Sequence, residues 1–208
     1  IGSHARRRIV DINEAIIQLG VQRVVEISLA TTTLSGIVSL TSPWIDKPIA
    51  KKRSVAAWLA AKRLLEIFPM PAIGSGVMFS SLIYPLRRVV TGASFPGVYH
   101  ELVRKVAESD QSLEIGESIA FPRTPAESLA KVLIRLGVPS EMCSPLTLAD
   151  QSKEQLFLRP DVIKNPAQLV RAAAILGELA VGSWAKWEVK SDLPPSWFFQ
   201  EIQVDNPY

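Results

Sequence analysis

Residues able to carry acid–base, nucleophilic or metal chemistry are scarce: the chain has two histidines, His4 and His100, and one cysteine, Cys143. A zinc site on a helix needs ligands about a turn apart, as in His-x-x-x-His, and neither histidine has such a partner or an adjacent aspartate. His100, between Tyr99 and Glu101, therefore reads as a surface or boundary residue ahead of a general acid, base or ligand. Cys143 has no Cys or His close in sequence, which makes a buried thiol its default and excludes an internal disulfide and a zinc site built on thiolates. Gly74-Ser75-Gly76 lacks both the trailing Gly, Lys or Thr of a phosphate loop and a preceding strand, so it reads as a loop or the start of a helix. The basic residues Lys51, Lys52, Arg53, Lys62 and Arg63 have no interleaved aromatics on which single-stranded bases would stack, and a solvated helix face is the plainer reading.

The elements that must position these residues are helices. Hydrophobic residues make up 48% of the 208 positions and charged residues 21%, a globular balance that excludes a disordered or fibrous protein. Asp11 followed by Glu14 forms a capping-box pattern and Gly20 a C-terminal stop, predicting a short helix over 12–19 and a longer one from Val21 to Leu40. Pro43 and Pro48 bracket a linker. From Ile49 to Phe68, Ala57, Trp58, Ala61, Leu64, Leu65 and Phe68 share one face at a period of about 3.6 residues, with Lys51, Lys52, Lys62, Arg63 and Glu66 opposite. Pro96 opens a helix through Val98, Leu102 and Ala107, and Ser112 caps a short one ending before Pro122. Thr124-Pro125-Ala126-Glu127 supplies an N-cap threonine, a first-turn proline and a glutamate, for a helix ending at Leu136 before Gly137 and Pro139. Asn165-Pro166-Ala167-Gln168 repeats that logic and launches a helix to about Trp187. No Asn-Gly or Asp-Gly hairpin and no Val/Ile strand alternates with these segments, so the fold class is all-α.

Two uncharged windows, Ile27 to Ile45 and Ile67 to Leu86, approach the roughly 20 residues that span a bilayer. The first carries many Ser and Thr and the second is broken by Pro69, Pro71, Gly74, Gly76 and Pro85; both read as buried segments of a helical domain, with no membrane partner. The start lacks the apolar stretch of a signal peptide and the lone cysteine suits a reducing compartment, so a cytoplasmic location is expected. Residues 1–105 hold 14 Lys and Arg against 6 Asp and Glu, and 106–208 hold 9 against 14, which fits an intramolecular match between halves better than a nucleic-acid surface. Trp184, Trp187, Trp197, Phe198 and Phe199 crowd a short stretch, and Trp197 and Phe198 are expected to dock on the bundle.

Several segments carry a family likeness in order: Arg7 through Val24 with its Glu14-Ala15-Ile16 helix and Leu19-Gly20 turn, then Ser54-Val55-Ala56-Ala57, then Phe95-Pro96-Gly97-Val98-Tyr99-His100-Glu101-Leu102. Glu117, followed by Phe121, Thr124, Ala126, Glu127, Leu133 and Gly137-Val138-Pro139, completes the series. Together they resemble HDOD domains, all-α relatives of HD-type phosphohydrolases found in bacterial signalling proteins. The resemblance covers roughly residues 1–185 and implies an HD-like multi-helix bundle over 1–187, with residues 188–208 as a tail packed on it. The chain looks like the latter two-thirds of such a domain, or a divergent member of the family, and an apolar groove is expected beside Ile16, Val24 and Ile27. Pro125 stands where the family often has a histidine, and Leu136 where a tryptophan is common.

The same resemblance sets the functional expectation. HD relatives hold metal ions with a histidine-aspartate pair, and the segment Phe79 to Arg88 resembles the surroundings of that pair but reads Tyr84-Pro85 in its place. Tyrosine, with a pKa of about 10, is a poor ligand near neutral pH and proline has no donor. The expectation is a non-catalytic signal-transduction or protein-interaction module with no cofactor and no metal. Tyr84, Arg87 and Arg88 would lie near the rim of a surviving cleft for a small anionic ligand or a signalling protein. A core role for Tyr84 with solvated arginines is the plainer alternative, and a homodimer is compatible with either. The rivals are a metal-dependent HD-type phosphohydrolase with atypical ligands and a nucleic-acid binder using the basic face.

Overall fold

Local chemistry sets most of the helix ends in the computed structural model, which describes residues 11–40, 47–109 and 112–181. Asp11 accepts the Glu14 backbone N–H at 2.8 Å to open α1 (Ile12–Leu19), and Gly20, at φ 81°, closes it and lets α2 (Val21–Ser39) start at once. The chain continues through α3 (Lys47–Ile67), α4 (Gly74–Ile83), a 3₁₀ turn (Tyr84–Leu86), α5 (Arg87–Ser94) and α6 (Pro96–Glu108). Then come α7 (Leu113–Ala120), α8 (Pro125–Arg135), α9 (Ser140–Leu148), α10 (Lys153–Phe157) and α11 (Asp161–Val181). Among the described residues there is no strand, and the class is all-α.

Ser112 and Thr124 cap α7 and α8 as the sequence indicates, accepting from Ile115 and Glu127. At the end of α8, Gly137 takes φ 91° while the Val138 N–H donates to the Leu133 carbonyl and the Gly137 N–H to that of Ile134. That pairing satisfies two orphan carbonyls, and Leu133 and Val138, both buried, give it its apolar contact.

The main core lies where α4 meets α3, α9 and α11, with α8 joining it through α9, and includes Val77, Ile83, Leu86, Leu129, Leu146 and Val170. α3 and α11 form the most extensive helix pair, through small residues: a methyl group on Gly177 would sit 2.5 Å from the Ala57 backbone nitrogen. α4 packs almost as tightly on α9, with Gly76 facing the Glu141 carbonyl. That carbonyl belongs to the residue four before Pro145, whose missing N–H leaves it without its usual helical donor. A satellite core of Tyr99, Leu102, Val106 and Leu113 joins α6 to α7.

Several expectations are corrected. Pro48 lies in the first turn of α3, where the missing N–H costs nothing, and does not belong to a linker. Asn165 does not start the last long helix: Asp161 does, the Ile163 and Lys164 N–H groups bond the Pro160 carbonyl, and Pro166 is carried inside. The proline deprives only the Val162 carbonyl, on a residue 74% exposed, so water can take that bond. The window from Ile67 to Leu86 is buried without a break from Gly76 to Tyr84, whereas in the window from Ile27 only Leu34 and Ile37 are buried among the described residues. No helix among the described residues is long and apolar enough to cross a membrane.

Of the groove expected beside Ile16, Val24 and Ile27, the described residues show only a small depression at Ile27, lined by neither Ile16 nor Val24. Ile27 is exposed and Ile16 and Val24 half-covered, and Ile27, Ala30, Trp58, Met78 and Met142 border the depression between α2 and α4, where Ser75 donates to Glu26 at 2.7 Å. The tail and its aromatic residues from Trp184 onward lie outside the described residues.

Candidate functional site

A buried apolar helix that ends in Tyr84-Pro85-Leu86-Arg87-Arg88 delivers two cations to the edge of the core, where each needs a carboxylate. The tight 3₁₀ turn, with its proline, sets Tyr84 and Arg87 three residues apart on one side, so the Arg87 guanidinium lies 3.9 Å from the centre of the Tyr84 ring. Both converge on Asp150, just beyond α9. The Tyr84 hydroxyl donates to Asp150 Oδ1 at 2.7 Å, and Arg87 Nε lies 3.1 Å from the same oxygen. Asp150 Oδ2 accepts the Ala126 backbone N–H at 2.8 Å, in the first turn of α8, where the helix dipole favours a negative charge. Burial, with Asp150 adding to it, pushes the Tyr84 phenol well above its ordinary value and keeps it a neutral donor.

Arg88, the next residue, leaves in another direction. Its Nε donates to Glu117 Oε1 at 3.0 Å and the Tyr99 hydroxyl donates to the same oxygen at 2.9 Å. Arg88 from α5, Tyr99 from α6 and Glu117 from α7 therefore meet in one buried triad. Desolvation first, and the Glu117 charge second, raise the Tyr99 phenol well above its usual range.

The expected site residues are thus placed differently from one another. Tyr84 and Arg87 border a water-sized cavity of about 10 Å³ with Arg171, Ala174, Ile175 and Glu178, while Arg88 belongs to the second network. The arginines are not solvated: Arg87 is 3% and Arg88 9% exposed, the first paired with the partly buried Asp150 and the second with the buried Glu117. Arg171 reaches Glu114 at 3.4 Å, linking α11 to α7. Asp150 and Arg171 escaped the sequence reading; the available signal was the Arg87-Arg88 pair closing an uncharged run, which demands acids without saying which ones.

Elsewhere the chemistry is as spare as the sequence suggests. His100 is exposed on α6. Cys143 is buried and its thiol is pushed up to about 11, mainly by desolvation, so it stays protonated and unreactive near neutrality. Among the described residues no three His, Cys, Asp or Glu side chains converge in a way that could hold a metal ion. On α3, Lys51, Lys52, Lys62 and Arg63 are exposed, with Arg63 held to Glu66 at 2.7 Å, but Arg53 is half-buried and leaves the basic face. Comparison with known proteins finds no family model, no curated protein and no solved structure that matches the chain.

Proposed function

We propose that the chain is a non-catalytic signal-transduction or protein-interaction module of HDOD type, working in the cytoplasm of a bacterium by binding a signalling protein or a small anionic ligand. The observation that carries this reading is the engagement of Asp150: the Tyr84 hydroxyl and Arg87 share one carboxylate oxygen and the Ala126 N–H takes the other. At the place where the resemblance would put a metal-binding pair stand a neutral phenol, Tyr84, and Pro85, with the Arg87 and Arg171 guanidinium groups on the same small cavity. A divalent cation there would meet positive charge in place of open carboxylate and imidazole ligands.

The purified chain, incubated with manganese and a generic phosphodiester, tests the reading. The expected outcome is substoichiometric metal and no hydrolysis above the protein-free rate. Stoichiometric manganese or iron, with turnover abolished by a chelator, would overturn it in favour of a phosphohydrolase with atypical ligands.

A further inference from the structure

The outward face of α3 is built as a seam. At about 100° per residue, Pro48, Val55 and Leu59 fall on one line along the helix, with Lys51 and Lys62 about 50° to one side and Lys52 and Arg63 about 50° to the other. Val55 and Leu59, one turn apart, leave 41% and 52% of their areas in water, and with Pro48, Lys51, Lys52 and Ala56 they line an open groove of about 480 Å³. All four flanking cations are exposed, and among the described residues only Arg63 is paired with a carboxylate, that of Glu66 on its own helix. A face that met only water would carry polar groups on the central line, and one for single-stranded nucleic acid would carry aromatic residues there.

The floor and its flanks define the chemistry of an occupant. An extended peptide laid on Val55 and Leu59 would leave backbone N–H and C=O groups facing methyl groups, whereas a helix satisfies its own. Cations on both flanks select carboxylates at the positions bordering the occupant's apolar stripe, as charged residues do beside a coiled-coil seam. The same face of a second copy would set lysine against lysine, and two exposed aliphatic side chains are too little apolar surface to hold a helix in a bilayer interface. We propose that α3 is a docking surface for an acidic amphipathic helix of another protein. The apolar stripe of that helix lies on Val55 and Leu59, and its carboxylates reach Lys51 and Lys62 on one side and Lys52 and Arg63 on the other. From Pro48 to Arg63 the seam runs about 22 Å, room for about four turns. Docking here draws on none of the residues around Asp150, so it holds whether or not the chain is of HDOD type.

Three fluorescent peptides about five turns long, titrated with the full chain and followed by anisotropy, test this. The first has leucines in one stripe with glutamates beside it; the second has the same composition with the leucines spread around the helix; the third has lysines for the glutamates. The first should bind saturably and severalfold more tightly than the second, and the third should not bind. Lys51→Glu with Lys62→Glu should move the preference from the first peptide to the third. Leu59→Asp, at an exposed position, should weaken the first about tenfold with the melting temperature retained. The bound first peptide should also slow acetylation of Lys51, Lys52 and Lys62 severalfold and leave Lys105, 68% exposed on α6, unaffected. Equal affinity for the first two peptides, a preference unmoved by charge reversal, or no binding would each overturn the proposal. Binding of phosphatidylglycerol vesicles or of a single-stranded oligonucleotide in place of the acidic helix would overturn it too. So would slow labelling of the three lysines before any peptide is added, which would mean that the chain itself covers the seam.

Discussion

Asp150 and Glu117 each neutralise a guanidinium that the chain has carried into its interior, and each also accepts a tyrosine hydroxyl. Desolvation makes such pairs weak net stabilisers while making the loss of one partner costly. Glu117→Leu should therefore lower the unfolding free energy by about 3–5 kcal/mol, and adding Arg88→Met should restore most of it, as measured by urea denaturation. The neutral partners fix a pH dependence with a definite sign. Tyr84 and Tyr99 have phenols raised in the folded state, and the Cys143 thiol moves from 9.0 to about 11. Each group keeps its proton longer when folded, so its contribution is complete below its unfolded pKa and is lost as pH rises through the folded one. Stability should fall from pH 9 to about 11 through Cys143, and further above about 10 through the tyrosines. Denaturation midpoints across that range should flatten in Cys143→Ala and in Tyr84→Phe. Sequence reading reached Tyr84, Arg87 and Arg88 but not Asp150, because the hydrogen bond from Tyr84 spans 66 positions and periodicity reports only neighbours along a helix.

At the scale of elements, three glycines in helices or at their ends separate two physical demands from the absence of either. Gly177 is required by close approach: Gly177→Ala pushes a methyl against the Ala57 backbone, which cannot yield as a flexible side chain would, and should cost about 1–3 kcal/mol. Gly137 is required by its left-handed conformation at the end of α8, so Gly137→Ala should cost about 1–2 kcal/mol although nothing lies within 4 Å of the new methyl. Gly36 is required by neither, being exposed inside α2 with open space around it, and Gly36→Ala should stabilise the protein by about 0.5–1 kcal/mol. Melting temperatures of the three variants check the ordering. The ends of α1, α7 and α8 were legible because each is written in a cap residue that acts over three positions. The start of α11 was misread because Pro166 carries a start signal that tertiary context overrides: an exposed carbonyl lets a helix begun at Asp161 continue through it. α9 and α10 went unread, the first with Pro145 inside it and the second only five residues long, although Ser152 and Gln155 form a complete capping box.

At the scale of the whole molecule, the described residues form two unequal cores, and α5 stands between them. Arg87 turns toward Asp150 and the main core, while Arg88 turns toward Glu117 and the pair formed by α6 and α7. The all-α class was legible from punctuation alone, but this division was not, since adjacent arginines look alike until their partners are known. Two neighbouring peptide units thus work as a rivet between a large body and a small one. The smaller body, which among the described residues holds four buried side chains in its core, is a natural unit of partial opening. In native-state hydrogen exchange, the amides of α6 and α7 should open together and at lower free energy than those of α3 and α11. Removing the rivet with Arg88→Ala should speed exchange across α6 and α7 while leaving the slowest amides of α4 and α11 reporting only the change in global stability. The satellite would then loosen ahead of the rest, giving the molecule a part that can be released without dissolving the whole.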